Sequence, residues 1–188
     1  LMGQRGIDLE ERIEIVAGQI KAVHTIHQKK PMYIAVDEWA PPFRKGHLST
    51  LALAQYFNAF IRHADTVKMA YYTLLTSILG RDPKTDATYK SPLFYTFKLF
   101  STRARGIALS PTVVCDTFRT SDHYAKIPYL DVSAVYDEKA KQVVINVVNR
   151  HKDEAIATDI RSIVGTFAPT ATVSLVANDD ISDAPYTY

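Results

Sequence analysis

Apolar residues recur at Ile13, Val16, Ala17, Ile20 and Val23 with Glu10, Arg12, Glu14 and Lys21 between them, the 3.6-residue spacing of an amphipathic helix. Asp8 followed by Glu11 reads as a capping box, so the pattern predicts a helix over residues 9–28. Met32-Tyr33-Ile34-Ala35-Val36 is apolar without alternation, as expected of a parallel strand covered on both faces, and it runs into Asp37-Glu38-Trp39. A proline-containing loop over 40–48 leads to Ser49 and a second helix with Leu53, Phe57, Phe60, Ile61 and Ala64 on its apolar face. Thr66 to Tyr72 is the next strand. Strand, helix and strand within so short a stretch imply a right-handed crossover and parallel pairing. Gly80, Asp82, Pro83 and Asp86 mark a loop, and Ser91-Pro92 opens a third helix carrying Leu93, Phe97, Phe100 and Ala104 up to a stop at Gly106.

Beyond Gly106 the period changes to two. Leu130, Val132, Ala134 and Tyr136 fall on one face of a strand, with Asp131 and Ser133 on the other. Residues 137–141 read as a hairpin loop, Val143, Ile145 and Val147 alternate again, and Ala171 to Val176 offers a further strand. The fold class is therefore α/β plus all-β. The boundary lies near 106–112, dividing the chain into an α/β unit over 1–106 and a β unit over 107–188. Two parallel strands do not make a self-sufficient sheet, so the first unit reads as the closing end of something larger.

Composition removes several alternatives. The 188 residues are 47% hydrophobic with a formal net charge of +2, and the basic residues are scattered rather than gathered into a stripe that would follow nucleic acid. No apolar run is long enough to span a bilayer, and Leu1 to Glu10 lacks the apolar core of a signal peptide, so a soluble chain is expected. Starting at Leu1 and entering a helix almost at once, it reads as a piece of a longer protein whose targeting region and localisation are not on view. The single cysteine, Cys115, lies in an apolar stretch and reads as a small buried hydrophobe.

Among the chemistry-bearing residues Glu38 stands first. An acid directly after a buried parallel strand occupies the place where α/β sheets and β/α barrels carry reacting groups, although position alone equally suits a polar strand terminus. Asp37 adds a like charge, and Trp39 offers an aromatic wall for the apolar face of a sugar. His24 and His27 share a helical turn but lack an acidic or cysteine partner, which favours a solvated helix end over a metal site. Arg62-His63-Ala64-Asp65 suits a helix terminus tethered to its surroundings better than an acid–base pair. Asp179, Asp180 and Asp183 lack the glycine and closing glutamate of a calcium loop. Tyr71 and Tyr72 either line a cleft mouth or pack.

Several segments in order carry a resemblance. Tyr33-Ile34-Ala35-Val36-Asp37-Glu38-Trp39 resembles the nucleophile strand of glycoside hydrolase family 51, the α-L-arabinofuranosidases. Leu53 to Asp65, Val67-Lys68-Met69-Ala70, Pro128 to Ser133 and Val147-Val148-Asn149-Arg150-His151 resemble the helix, strand and β-domain that follow, so the likeness covers most of 31–151. It implies the C-terminal part of a (β/α)8 TIM barrel (1–106) followed by an incomplete antiparallel β-sandwich (107–188). It also implies Glu38 as nucleophile at the end of the seventh strand. The implied reaction is retaining, exo-acting removal of terminal arabinofuranosyl residues from arabinan- and arabinoxylan-type saccharides, with no metal or organic cofactor. An oligomeric parent is implied as well. The family's acid/base glutamate lies in an Asn-Glu pair, and none occurs here, so the chain alone is expected to be inactive. Before Leu93-Phe94-Tyr95 many members carry a sugar-contacting glutamine, where this chain has Lys90-Ser91-Pro92. The competing readings are a non-catalytic carbohydrate-binding or structural β-domain, and a barrel glycosidase of other specificity.

Overall fold

The computed structural model describes residues 4–28, 30–41, 46–73 and 78–178. The calcium candidates Asp179, Asp180 and Asp183 and part of the 40–48 loop lie outside them. Helix α1 (Gln4–His27) leads to strand β1 (Ile34–Trp39), helix α2 (Gly46–Arg62) and strand β2 (Val67–Tyr72). The expected unit is present, since β1 and β2 pair in parallel.

Helix α1 begins a turn earlier than expected, and the capping box is not one. Asp8 and Glu11 sit inside the helix, where both carboxylates accept the Tyr124 hydroxyl, at 2.9 Å for Glu11. Of the residues defining its apolar stripe only Ile13 is buried, while Val16 and Val23 stay about 40% exposed. Double-sided burial of β1 fails likewise, because α2 and α3 cover one face and the other is bare.

The segment read as a loop after β2 contains an antiparallel hairpin, β3 (Leu79–Arg81) with β4 (Thr88–Lys90). Its turn is held by Asp82 Oδ1, which accepts the Lys84 N–H at 2.8 Å, a side chain standing in for a backbone carbonyl. Helix α3 (Pro92–Arg103) starts on Ser91 as expected. Gly106 is required for a different reason from helix termination. Its φ is +130°, and a Cβ there would lie 2.1 Å from the Tyr136 carbonyl oxygen, so only glycine lets the chain cross so close.

The β part comprises β5 (Ile107–Leu109), β6 (Thr117–Phe118), β7 (Ile127–Pro128), β8 (Leu130–Asp137) and β9 (Gln142–Asn149). Strands β5, β8 and β9 form an antiparallel sheet, and the 137–141 hairpin closes with Asp137 Oδ1 accepting the N–H groups of Lys139 and Ala140. Residues 171–176 form no strand, and Val173 and Leu175 are more than 80% exposed. Alternation supplies a face, but a strand also needs an edge to accept its backbone hydrogen bonds, and no described strand pairs with this segment. Cys115 is half-buried rather than buried.

Helix α2 lies between the two parts. Its apolar face, with Leu53 fully buried, packs on Trp39 and Leu93, and each such leucine contributes about 1.5–3 kcal/mol by leaving water. Its opposite face carries Gln55 and Asn58, at 1% and 0% exposure; Asn58 packs on β8, and Gln55 lies against Gly6 of α1 and Arg150. The polar face of β8 is therefore buried. Asn58 Nδ2 donates to the Asp131 carboxylate at 3.1 Å, and its Oδ1 accepts the Ser133 hydroxyl at 2.7 Å.

Candidate active site

Strand β1 delivers Asp37 and Glu38 through one of two irregularities in its register, the other being opposite in sense where Ile34 and Ala35 face Val67 and Met69. Val36 pairs with Ala70 and Trp39 with Tyr72, so three steps along β1 match two along β2. The extra residue is a β-bulge at Asp37-Glu38, a device that re-aims side chains and recurs beside active sites. Val36 and Trp39 on either side both pack toward the helices, whereas Asp37 and Glu38 are exposed. The bulge thus presents two adjacent carboxylates at the carboxyl end of a parallel strand, on the bare side of the sheet. Tyr71 is the β2 residue opposite it, 53% exposed, while its neighbour Tyr72 packs on Trp39 at a ring separation of 5.1 Å.

Trp39 is corrected by this geometry. It is 7% exposed, and the rings of Tyr56, Phe57, Phe60, Tyr72 and Phe97 surround it, the closest at 4.9 Å. No ring face is left for a sugar. Its Nε1–H meets no acceptor among the described residues, so packing alone holds the indole. Trp39 is the anchor from which Glu38 is displayed.

The remaining candidates fall outside this corner. Ser91 is occupied as a helix start, its hydroxyl donating to the Ile78 carbonyl at 2.6 Å, and Lys90 Nζ lies over the Phe94 ring. His24 and His27 are exposed at the end of α1. No group of three or more His, Cys, Asp or Glu side chains is arranged to hold a metal among the described residues, nor is any helix there long and apolar enough to cross a membrane. A cleft of about 430 Å³ lined by His24, Met32, Tyr33 and Asp65 lies at the amino end of β1, the end away from Glu38.

Arg62 and His63 are tethers, as their place at a helix end suggests. Arg62 Nε donates to Glu10 at 2.6 Å, and its Nη1 donates to the Val132 carbonyl at 2.7 Å and pairs with Asp131 at 2.8 Å. Arg150 reaches the same Asp131 carboxylate at 3.2 Å and donates through Nε to Gln55. Burial pushes the Glu10 carboxyl up, but hydrogen bonds from His63 and Arg62 outweigh it and lower it to about 2. The sequence singled out Arg62 and His63 but not Asn58, Asp131 and Arg150 as one cluster. The only local signal was a polar pair on an otherwise apolar strand.

Solved family 51 α-L-arabinofuranosidases share this arrangement of elements. The Bifidobacterium longum enzyme matches at TM-score 0.71 and 18% identity, over 80% of this chain and 34% of its own. The arabinose complex of the Thermotoga maritima enzyme matches at 0.68 and 20%, over 82% and 36%. At such identity the likeness defines the fold class, a mixed helix and strand chain built as one part of those proteins is built. The alpha-L-arabinofuranosidase C-terminal domain model matches residues 37–185, and the chain belongs to that family. Curated relatives include the intracellular exo-alpha-(1->5)-L-arabinofuranosidase of Halalkalibacterium halodurans, 26% identical over 86% of this chain and 37% of the relative. Another is intracellular exo-alpha-(1->5)-L-arabinofuranosidase 1 of Bacillus subtilis, 24% identical over 80% and 35%. The chain thus spans little more than a third of the length of these relatives.

Proposed function

We propose that this chain is the carboxyl-terminal portion of a retaining, exo-acting α-L-arabinofuranosidase and supplies its nucleophile, Glu38. The observation that carries the reading is the family match beginning at Asp37, the first residue of the bulge that displays Glu38. Residues 1–106 close a (β/α)8 barrel, with β1 and β2 as its last two strands, and residues 107–188 belong to a β-sandwich. The bare face of β1 and β2 supports this, since a parallel sheet is ordinarily covered on both sides.

In the proposed reaction the Glu38 carboxylate attacks the anomeric carbon of a terminal arabinofuranosyl residue while an acid on the other side protonates the departing oxygen. Water then releases the sugar with retention. The two carboxyl groups of such a pair stand about 5–5.5 Å apart. The acid/base glutamate comes from a segment of the parent outside this sequence, which contains no Asn-Glu pair. Substrates are arabinan- or arabinoxylan-type saccharides, and the chemistry needs no metal or organic cofactor.

The test is Glu38→Ala in the full-length parent. The expected loss is about a thousandfold or more in kcat, the scale on which removal of a covalent nucleophile is felt. Azide should restore part of the turnover by attacking in its place and yield the arabinofuranosyl azide of inverted configuration. Activity retained without azide would overturn the assignment. Comparing aryl arabinofuranoside, xyloside and glucoside as substrates decides the specificity.

A further inference from the structure

We infer that Tyr71 is a substrate-contacting residue that sets affinity for the sugar at Glu38, taking the part of the aromatic wall that the sequence suggests for Trp39; the inference rests on the function proposed above. Strand register carries it. Because Val36 pairs with Ala70 and Trp39 with Tyr72, Tyr71 is the β2 residue that stands against both bulge carboxylates. Adjacent strands lie about 4.8 Å apart, so a tyrosine there is within reach of a ligand held on Glu38.

The two tyrosines separate cleanly. Tyr72 turns into the aromatic cluster around Trp39, and Tyr71 turns to the bare face shared with Asp37 and Glu38. With Trp39 enclosed, Tyr71 is the aromatic side chain left free at the bulge among the described residues. Its hydroxyl donates to Met69 Sδ at 2.9 Å, on a residue itself 52% exposed. A thioether is a weak acceptor, so a sugar hydroxyl readily replaces it. The side chain therefore offers an apolar ring to the C–H face of the sugar and a donor to its hydroxyls, the amphipathic combination typical of tyrosine in binding sites.

Such a contact is made in the ground state and transition state alike, so its loss raises KM more than it lowers kcat. The experiment uses the full-length parent with an arabino-oligosaccharide, comparing wild type, Tyr71→Leu, Tyr71→Ala, Tyr71→Phe and Glu38→Ala. Expected are a KM about tenfold higher for the leucine and alanine variants with kcat changed less than about threefold, and a smaller rise for phenylalanine, which keeps the ring. Thermal midpoints near that of wild type are expected, because the side chain is largely exposed, and leucine keeps apolar bulk should alanine fold poorly. If Glu38→Ala is inactive while the leucine variant keeps wild-type KM and kcat, the Tyr71 assignment is wrong and the nucleophile stands. A leucine variant that loses kcat at unchanged KM also overturns it. If Glu38→Ala is active, the proposed function falls and takes this inference with it.

Discussion

Replacing Trp39 by alanine removes an indole that five aromatic rings enclose, and the cavity cannot collapse easily because those rings belong to β2, α2 and α3. The expected cost is about 3–5 kcal/mol, measured by denaturant unfolding of the full-length parent. Because Trp39 follows Glu38 directly, kcat should fall as well, with Trp39→Phe recovering most of both. Gly106→Ala should also destabilise, by about 1–3 kcal/mol for a side chain forced into that backbone region, and more if the Tyr136 carbonyl has to move. At this scale the sequence placed Glu38 at a strand end but read as a sugar wall the Trp39 ring that the fold encloses. Residue type tells that an indole prefers contact with rings, and not whether those rings belong to the protein or a ligand.

Helix α2 bridges the parts through charged as well as apolar packing. Asp131, 4% exposed, is held between Arg62 and Arg150, so Asp131→Ala removes the carboxylate that Arg150 pairs with and leaves Arg62 with Glu10 alone. Removing one partner of a buried ion pair typically costs about 3–5 kcal/mol, and faster proteolysis near residues 104–112 should accompany the loss. The Glu10 cluster adds a pH dependence at both ends. With its folded-state value lowered to about 2 from 4.5, Glu10 stabilises fully above pH 4.5, and that contribution is lost as pH falls toward 2. His63 is raised above 6.5, chiefly by its hydrogen bond to Glu10, so its contribution is full below 6.5 and disappears as pH rises through the folded value. Unfolding free energies of parent and Glu10→Gln should differ most between pH 4.5 and 6.5, converge as pH falls toward 2, and narrow without vanishing above the His63 value, where Arg62 still holds Glu10. A constant difference would contradict the cluster's role. Hydrophobic period alone located α2 and β8, but which polar residues meet across them depends on how the helix rolls on the sheet.

Large apolar side chains stand exposed in several places along the described residues. Ile15 and Ile26 on α1, Met69 on β2, and Ile163, Val164, Val173 and Leu175 toward the carboxyl end are each more than half exposed. Exposed apolar surface of this extent drives association, so the isolated chain should bind a hydrophobic dye more strongly than the parent and form concentration-dependent aggregates on a sizing column. It should also show no turnover of an alkyl arabinofuranoside, because attack by Glu38 without protonation of a poor leaving group does not go forward. Measurable turnover by the chain alone would mean that a proton donor lies within it.

The succession α1, β1, α2, β2, α3, β8 and β9, the parallel pairing of β1 with β2 and the placing of Glu38 at a strand end follow from the sequence by itself. Hydrophobic period is local, and each of these elements carries its own record of it. Tertiary structure alone decided that β1 bulges at Asp37-Glu38, that Trp39 turns inward while Tyr71 stays out, and that the polar face of β8 is buried along with its apolar one. Those outcomes depend on strand register and on which surfaces meet, and residues distant in the chain contribute to both. The alternating segment 171–176 makes the same point, since its pattern specifies a face but no strand forms without a neighbour to receive its hydrogen bonds.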